Sequence, residues 1–163
     1  MHLIKRRIAI SVVNTILRGH RCFPLKRKIL NWGGFQIGTQ SEVVGPISSK
    51  GILIIGRNVW IGANLTCYGQ GTVEIEDNCD IAPDVTFLTG GHEMGDRIRR
   101  AGHGITTNIR VRKGSWIGAR TTVSGNIEIG EACVVAAGAV VTKNIENNKL
   151  IGGVPAKVIR NLE

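Results

Sequence analysis

Residues 109–142 read IRVRKGSWIGARTTVSGNIEIGEACVVAAGAVVT, and this stretch repeats a pattern every six residues. β-Branched aliphatic side chains occupy six anchor positions at that spacing: Val111, Ile117, Val123, Ile129, Val135 and Val141. A period of six fits neither an amphipathic helix, which repeats every three to four residues, nor a half-buried strand, which repeats every two. It fits a coil in which each hexad makes one short strand and one corner. The stretch therefore predicts a parallel β-helix with its anchors stacked inside.

The repeat continues upstream with one slip and one gap. The upstream anchors are Ile55, Ile61, Cys67, Val73, Ile75, Ile81 and Phe87. The phase jumps by two residues after Val73, so we expect one corner to hold two extra residues. Between Phe87 and Ile109 the repeat disappears for about one coil, which predicts a loop extruded from the stack. Loops on a rigid scaffold commonly carry chemistry. Before residue 50 the repeat weakens and predicts one irregular starting coil.

Length and composition suit a single domain with a core of stacked aliphatic side chains. We predict a helical N-terminal segment at residues 1–33, a β-helix at residues 34–154 with its loop at 88–108, and a C-terminal tail at residues 155–163. No apolar run approaches the 18 or so residues that a membrane-spanning helix needs. The first residues also lack the cleavage site of a signal peptide, which favours a cytoplasmic location.

Positive charge is concentrated at the N-terminus. The first 30 residues hold eight Lys and Arg residues and no acid, whereas 13 basic and 12 acidic residues follow. Four aliphatic residues recur every fourth position: Ile4, Ile8, Val12 and Ile16. They predict an amphipathic helix, and Pro24 can open a second short helix. Two compatible interpretations stay open: a helical cap on the end of the β-helix, and a basic patch at the inner face of an anionic membrane. Nucleic-acid binding is disfavoured because no aromatic platform accompanies the charge.

The four cysteines show no C-x-x-C spacing. Three of them fall on core positions of the repeat: Cys67, Cys79 and Cys133. Cys22 lies in the basic N-terminal segment. This placement predicts buried thiols that act as small hydrophobes in a reducing compartment. It disfavours a zinc site or a disulfide framework.

Three motifs accompany the hexads in a fixed order. They read TGGHE at residues 89–93, WIGA at residues 116–119 and IGGVPAKVIR at residues 151–160. Together with the hexads they resemble the hexapeptide-repeat acyltransferases, and most closely the branch of galactoside, maltose and nodulation-factor O-acetyltransferases with its polysaccharide-modifying relatives. The resemblance covers about residues 36–160. It implies an all-β, left-handed parallel β-helix that forms a homotrimer, with active sites between subunits and acetyl-CoA as the acyl donor.

His92 is the candidate catalytic residue. Moving an acetyl group from a thioester to a hydroxyl requires a base for the hydroxyl proton, and histidine suits that role near neutral pH. His92 follows the last regular strand before the loop, so the scaffold anchors its backbone, and it matches the family's catalytic histidine. We predict direct transfer with His92 as general base. Glu93, Asp96 or a backbone carbonyl could orient the ring, while His103 suits a turn or an acceptor contact.

The resemblance also implies a donor site. Trp116 resembles the family's tryptophan that screens the thioester. The positions that match pantetheine, phosphate and adenine contacts are Gly118, Ala119, Ala136, Ala137, Gly138, Lys143, Pro155, Ala156, Lys157 and Arg160. For the acceptor, Asn64 lies two residues from the place of the family's assisting asparagine, which Gly62 occupies here. Arg97 and Arg100 in the loop suit an anionic acceptor such as an acidic sugar.

The sequence thus predicts an O-acetyltransferase of a sugar hydroxyl in a surface-polysaccharide precursor. N-acetylation of an amino sugar needs the same base and is the nearest alternative. A γ-type carbonic anhydrase would hold zinc with three histidines, but the repeat region has only His92 and His103, both in one loop, so we expect no metal. A non-catalytic solenoid would show a Thr-x-Thr ladder, which is absent. Whether the acyl group is acetyl or slightly larger stays open.

Overall fold

A computed structural model describes residues 2–163 of the chain. Two helices, α1 (His2–Thr15) and α2 (Phe23–Trp32), precede a solenoid of parallel strands with about six turns. The strands are β1 (Gln36–Ile37), β2 (Glu42–Val43), β3 (Ile47–Ser49), β4 (Ile52–Ile55), β5 (Trp60–Ile61), β6 (Leu65–Tyr68), β7 (Thr72–Ile75), β8 (Asp80–Ile81), β9 (Thr86–Leu88), β10 (Gly90–Met94), β11 (Ala101–Thr106), β12 (Ile109–Val111), β13 (Trp116–Ile117), β14 (Thr122–Ser124), β15 (Ile127–Ile129), β16 (Val134–Val135), β17 (Val140–Val141), β18 (Lys149–Gly153) and β19 (Ala156–Asn161). The predicted parallel β-helix is confirmed.

Three sheets form the faces of the solenoid. The first face contains β1, β4, β7, β12 and β15, and the third contains β3, β6, β9, β14 and β17. The second face contains β2, β5, β8, β13, β16 and β18, with β19 added at its edge. Each coil pairs in parallel with the next through all three sheets. The ladders therefore stack each coil on its neighbour at the spacing of adjacent strands, about 4.8 Å.

The core follows the hexad pattern. All six anchor positions between Val111 and Val141 are at most 1% exposed. Ser115 and Thr121, two of the small residues between anchors, are also buried. Their hydroxyls donate to the carbonyl oxygens of Gly130 and Gly118, both at 2.8 Å. Polar corner residues therefore enter the interior with their hydrogen bonds satisfied, as buried hydroxyls require.

The predicted slip and gap both appear in the strand register. Ile55 pairs with Ile75, twenty residues on, so the corner between β6 and β7 holds the two extra residues. A Cβ at Gly71 in this corner would collide with the carbonyl oxygen of Thr107, so the tight turn requires glycine. Ile75 then pairs with Val111, thirty-six residues on. One coil's length of chain is thus extruded, and it forms the antiparallel hairpin β10–β11.

The two ends of the solenoid are more regular than the sequence predicts. The first coil keeps an 18-residue register, with Ile37 opposite Ile55 and Val43 opposite Ile61. Its repeat is hard to see because Ser49, a buried polar residue, stands opposite Cys67 on the third face. The prediction of an irregular first coil is therefore wrong. At the other end, residues 155–163 include β19, which runs antiparallel to β18.

The two helices cap the open end of the β-helix, as the first interpretation predicts. Val13, Leu30 and Phe35 join the hydrophobic core. Lys26 is fully buried, and its ammonium donates to the carbonyl oxygens of Val43 at 3.0 Å and Val44 at 2.8 Å, and also to that of Gly19. Burial lowers the pKa of Lys26. This buried lysine closes the end of the solenoid by satisfying carbonyl groups of the first coil.

The face of α1 that packs inward is not the predicted one. Ile4, Ile8 and Ile16 are 65, 48 and 67% exposed, while Ala9 and Val13 are buried. Two contacts set this orientation. The side-chain amide of Asn14 accepts a hydrogen bond from the N–H of Ile47 and donates one to its carbonyl oxygen, each at 2.8 Å. Ala9 also approaches α2 so closely that Gly33 has no room for a Cβ. An isoleucine would not fit at that crossing.

The cysteines occupy the predicted positions. Cys67, Cys79 and Cys133 are buried in the core, and Cys22 is exposed. Burial raises the pKa of the Cys67 thiol to about 12 and that of Cys79 to about 11. These core thiols are therefore protonated and act as small hydrophobes. None of the helices within residues 2–163 combines the length and apolar character that crossing a membrane requires.

Candidate active site

The hairpin β10–β11 projects from the solenoid between the third and first faces and carries most of the candidate chemistry. His92 pairs with Gly104, and Met94 pairs with Ala101. Between these pairs β10 contributes one residue and β11 contributes two, Gly102 and His103, so β11 bulges. Bulges re-aim backbone and side-chain groups and are frequent beside active sites. Here the bulge lies directly opposite the residue that follows His92.

The bulge fixes the orientation of the His92 ring. Nδ1 of His92 lies 2.9 Å from the carbonyl oxygen of Gly102. A carbonyl oxygen can only accept, so Nδ1 carries the proton in the neutral ring and Nε2 keeps its lone pair. The side chain is exposed, so Nε2 is accessible to a substrate. Of the three candidates for orienting His92, the structure places a backbone carbonyl at the ring.

Glu93 and Asp96 have other positions. Asp96 accepts hydrogen bonds from the N–H groups of Ile98 at 2.9 Å and Arg99 at 3.0 Å, which closes the turn of the hairpin. Glu93 lies in β10 opposite the bulge and is exposed. Asp96 therefore shapes the hairpin turn, and His92 takes its orientation from the backbone.

The tip of the hairpin is basic and exposed. Arg97, Arg99 and Arg100 are all exposed, and Nη1 of Arg100 donates to the carbonyl oxygen of Gly95 at 3.4 Å. Met94 and Ile98 beside them are 82 and 90% exposed. The tip thus presents guanidinium groups and apolar side chains together, away from the solenoid of its own chain.

Asn64 occupies a corner of the solenoid. Its φ is +61°, a left-handed conformation that asparagine tolerates, and its amide donates to Asp84 in the next coil at 2.8 Å. This contact gives Asn64 a structural role in the corner. Gly62 is buried, and a Cβ there would lie 2.7 Å from the backbone nitrogen of Pro83. The close stacking of this coil therefore leaves no room for an asparagine at position 62.

Trp116 lines a pocket together with Trp60, a residue that the sequence analysis did not assign to the site. Asp80 on β8 stands between Trp60 and Trp116 in the second face, in direct register with both. These residues, with Ala82 and Pro83, line a cavity of about 420 Å³. Trp116 is 54% exposed. The signal for Trp60 is present in the sequence, because WIGA occurs at residues 60–63 as well as at residues 116–119.

The N-terminal segment also contacts this pocket. His20 stacks on Trp60 with ring centroids 5.6 Å apart, and Phe23 meets Trp60 edge-on at 5.9 Å. The Trp60 ring is therefore contacted by the segment that joins α1 to α2 and by the first residue of α2. Aromatic contacts of this geometry stabilise a ring position beyond simple burial.

The small residues that the sequence predicts at the donor site lie together at the corner after the second face. Gly118 donates to the carbonyl oxygen of Val135 at 2.8 Å, and Gly138 donates to that of Ala119 at 2.8 Å. Ala136 donates to the carbonyl oxygen of Ile151 in the following coil at 2.8 Å. Ala137 and Gly138 are exposed. The corner is therefore a strip of backbone without bulky side chains, close in sequence to Trp116.

The basic donor-site residues are spread over two faces. Lys157 and Arg160 lie on β19 at the edge of the second face, opposite Gly152 and Leu150. Ala156 packs against the core beside them, and Pro155 lies in the β18–β19 turn. Lys143 follows β17, on the third face, and is exposed. The structure thus unites the C-terminal residues and places Lys143 apart from them.

A second groove, on the first face, is lined by polar residues that bond one another between coils. It is lined by Asn108, Asn126, Asn144 and by charged residues. Each asparagine oxygen accepts a backbone N–H of another coil, from Thr72, Asn108 and Glu128. Ion pairs such as Arg110–Glu76, at 2.7 Å, and Arg112–Glu131, at 3.1 Å, cross the same face. Residues 2–163 contain no cluster of His, Cys, Asp and Glu suited to a metal ion.

Comparison with known proteins gives a consistent result. Residues 108–143 match the family described as bacterial transferase hexapeptide (six repeats), and residues 52–83 match the hexapeptide repeat of succinyl-transferase. The chain is 38% identical over 108 residues to the galactoside O-acetyltransferase of Escherichia coli, an alignment that covers 66% of this chain and 53% of that protein. The chain spans about half the length of the curated relatives it matches.

Two solved structures resemble the chain over nearly its whole length. A galactoside acetyltransferase in complex with coenzyme A superimposes with a TM-score of 0.83 at 28% identity, covering 99% of this chain and 81% of that one. A hexapeptide-repeat acetyltransferase from Vibrio cholerae complexed with acetyl-CoA gives a TM-score of 0.83 at 26% identity, with 99 and 87% covered. With its hexad core, its extruded histidine hairpin and these matches, the chain belongs to the hexapeptide-repeat acyltransferases.

Proposed function

We propose that the protein transfers an acetyl group from acetyl-CoA to a hydroxyl of a sugar, with His92 as the general base. The observation that carries the proposal is the contact between Nδ1 of His92 and the Gly102 carbonyl, which leaves Nε2 as a free base on an exposed hairpin. The relative named as a galactoside O-acetyltransferase and the solved structures with CoA or acetyl-CoA support both substrates.

The mechanism is a direct transfer. Nε2 of His92 accepts the proton of the acceptor hydroxyl while its oxygen attacks the thioester carbonyl carbon, and backbone N–H groups near the coil corner stabilise the oxyanion. The C–S bond then breaks, and the imidazolium returns its proton to the departing CoA thiolate. The products are the acetyl ester and CoA. A covalent enzyme intermediate is not needed, and three of the four cysteines are buried away from solvent.

We propose an anionic glycan, such as a precursor of a surface polysaccharide, as the acceptor. Arg97 and Arg100 lie on the same hairpin as His92 and are exposed. Guanidinium groups bind carboxylates and phosphates in a bidentate manner, which would hold an acidic sugar beside the base. The hairpin that supplies the base would therefore also select the charge of the acceptor.

A homotrimer would complete the site. Every residue of β10 and nearly every residue of β11 is exposed in the single chain, including Ile105 and the apolar tip. Acyl transfer benefits from a site that excludes water, because water competes as a nucleophile and weakens electrostatic contacts. A hairpin exposed along its length needs a second surface to form such a cleft, and a neighbouring subunit would supply that surface.

Thiol release from acetyl-CoA in the presence of different acceptors tests the function. We expect CoA release, and an acetyl ester by mass spectrometry, with acidic nucleotide sugars or glycans and much less with neutral sugars. Hydroxylamine should remove the product acetyl group, because esters react and amides resist. An acetyl group that resists hydroxylamine would identify N-acetylation of an amino sugar. The absence of CoA release with any acceptor would contradict an acetyltransferase.

A further inference from the structure

The outward face of α1 carries large apolar side chains. Leu3, Ile4 and Ile8 are all exposed, at 72% for Leu3. Ile4 and Ile8, four residues apart, lie on one side of α1, and Leu3 precedes Ile4 in the first turn. Trp32 of α2 is also half exposed, and Lys5 Nζ lies 5.6 Å from its ring centroid, so Trp32 borders the same part of α1. We name Leu3, Ile4, Ile8 and Trp32 the cap patch.

The cap patch contributes little to the fold. The inner face of α1 is already occupied by Ala9 and Val13, and Asn14 fixes its orientation through two hydrogen bonds to Ile47. Ile10 also packs against the core, whereas Leu3, Ile4 and Ile8 are exposed to solvent. Large apolar side chains that are exposed together beside charged residues are the kind of surface that marks an interaction site.

The basic residues of the N-terminal segment indicate which kind of partner the cap patch would take. Residues 1–41 contain eight Lys and Arg residues, and the first acid is Glu42. Two of the eight are used internally: Lys26 in the core and Arg6, which donates to the carbonyl oxygens of Lys50 at 3.0 Å and Gly51 at 2.8 Å. The remaining basic residues of the cap are Lys5, Arg7, Arg18, Arg21, Arg27 and Lys28.

We propose that the cap patch inserts into the interface of an anionic lipid membrane. Apolar side chains beside an uncompensated set of cations on a short helix are the pattern of helices that lie in the plane of a bilayer surface. The cations would contact acidic headgroups while Leu3, Ile4 and Ile8 enter the acyl boundary and Trp32 sits at headgroup level. The cap covers one end of the solenoid, so the β-helix would stand on the membrane by that end.

Sedimentation of the full-length protein with vesicles tests this inference. We expect binding to phosphatidylcholine vesicles that contain phosphatidylglycerol, little binding to pure phosphatidylcholine, and loss of binding at high salt. Replacing Leu3, Ile4 and Ile8 together with serine should weaken binding by roughly a hundredfold, because their apolar area no longer leaves water. Replacing Lys5 and Arg7 with glutamine should weaken it by about fivefold per charge.

Matched controls separate insertion from general attraction. Lys113→Gln with Arg120→Gln removes the same charge from exposed positions in a later coil, outside the cap, and should leave binding within about twofold of the parent protein. Equal vesicle binding by the triple serine variant would overturn insertion of the cap patch. If analytical ultracentrifugation shows that the triple serine variant has a different oligomeric state from the parent protein, the proposal is overturned in favour of a contact between copies of the chain. Acetyl-CoA turnover in solution, measured in parallel, reports on the proposed function independently.

Discussion

The His92→Ala variant is expected to turn over acetyl-CoA roughly 10² to 10⁴ times more slowly than the parent protein, the range that a positioned general base contributes. In the proposed mechanism the imidazole takes the acceptor proton, and its Nε2 is accessible because Nδ1 bonds the Gly102 carbonyl. The loss should fall mainly on kcat, since the ring is proposed to act as the bond forms. CoA release measured against the concentrations of both substrates separates kcat from KM.

Stability and a neighbouring histidine provide the controls for this variant. His92 is exposed on a hairpin outside the core, so the thermal unfolding midpoint should change little. The His103→Ala variant alters the same hairpin and should lose far less activity, because His103 is not the residue held at the Gly102 carbonyl. Equal turnover by His92→Ala and the parent protein would remove His92 from the mechanism. A large fall in its unfolding midpoint would instead assign it a structural role.

The Lys26→Met variant is expected to lower the free energy of unfolding by roughly 2 to 4 kcal/mol. The Val43 carbonyl loses the ammonium donor, and the carbonyls of Val44 and Gly19 each keep only one backbone N–H. Methionine keeps most of the volume and removes the ammonium that bonds Val43 and Val44 at the end of the first coil. Burial lowers the pKa of Lys26, because the charged ammonium loses its hydration, and this cost offsets part of the gain from its hydrogen bonds. The expected loss in the free energy of unfolding is therefore smaller than the sum of three hydrogen bonds from a charged donor.

Chemical denaturation of Lys26→Met beside Lys28→Met measures this effect. Lys28 lies on the same helix and is exposed, so its replacement by methionine should change the unfolding free energy by less than about 0.5 kcal/mol. Equal stability of Lys26→Met and the parent protein would show that packing, rather than the ammonium, closes the end of the solenoid. A more stable Lys26→Met would show that desolvation outweighs the carbonyl contacts.

The fold could be predicted from the sequence because one inward side chain per hexad requires an aliphatic residue at every sixth position. Val111 through Val141, the two-residue slip before Ile75 and the extruded loop follow from counting alone. The orientation of α1 could not be predicted in this way. Its four-residue repeat of isoleucines points outward, because Ala9 and Asn14 make contacts that depend on the positions of Gly33 and Ile47. The sense of winding stays a prediction from the resemblance.

The candidate site could be predicted less completely. His92 is visible because it follows two glycines at the end of the repeat, but its orientation depends on a bulge that adds one residue to β11. No residue type marks that bulge in the sequence. Trp60 carries the same WIGA motif as Trp116, and the slip and the extruded loop together bring both to the second face. The donor and acceptor roles of these residues and the trimer remain proposals.

A crystal structure with CoA and a bound acceptor tests the central claim most directly. The account predicts that the CoA sulfur lies beside Trp116, with an acceptor hydroxyl about 2.6 to 3.2 Å from Nε2 of His92. It also predicts that Nδ1 keeps its contact with the Gly102 carbonyl in the complex. A CoA sulfur far from every copy of His92 in the assembly, or an Nε2 turned away from the acceptor, would contradict it.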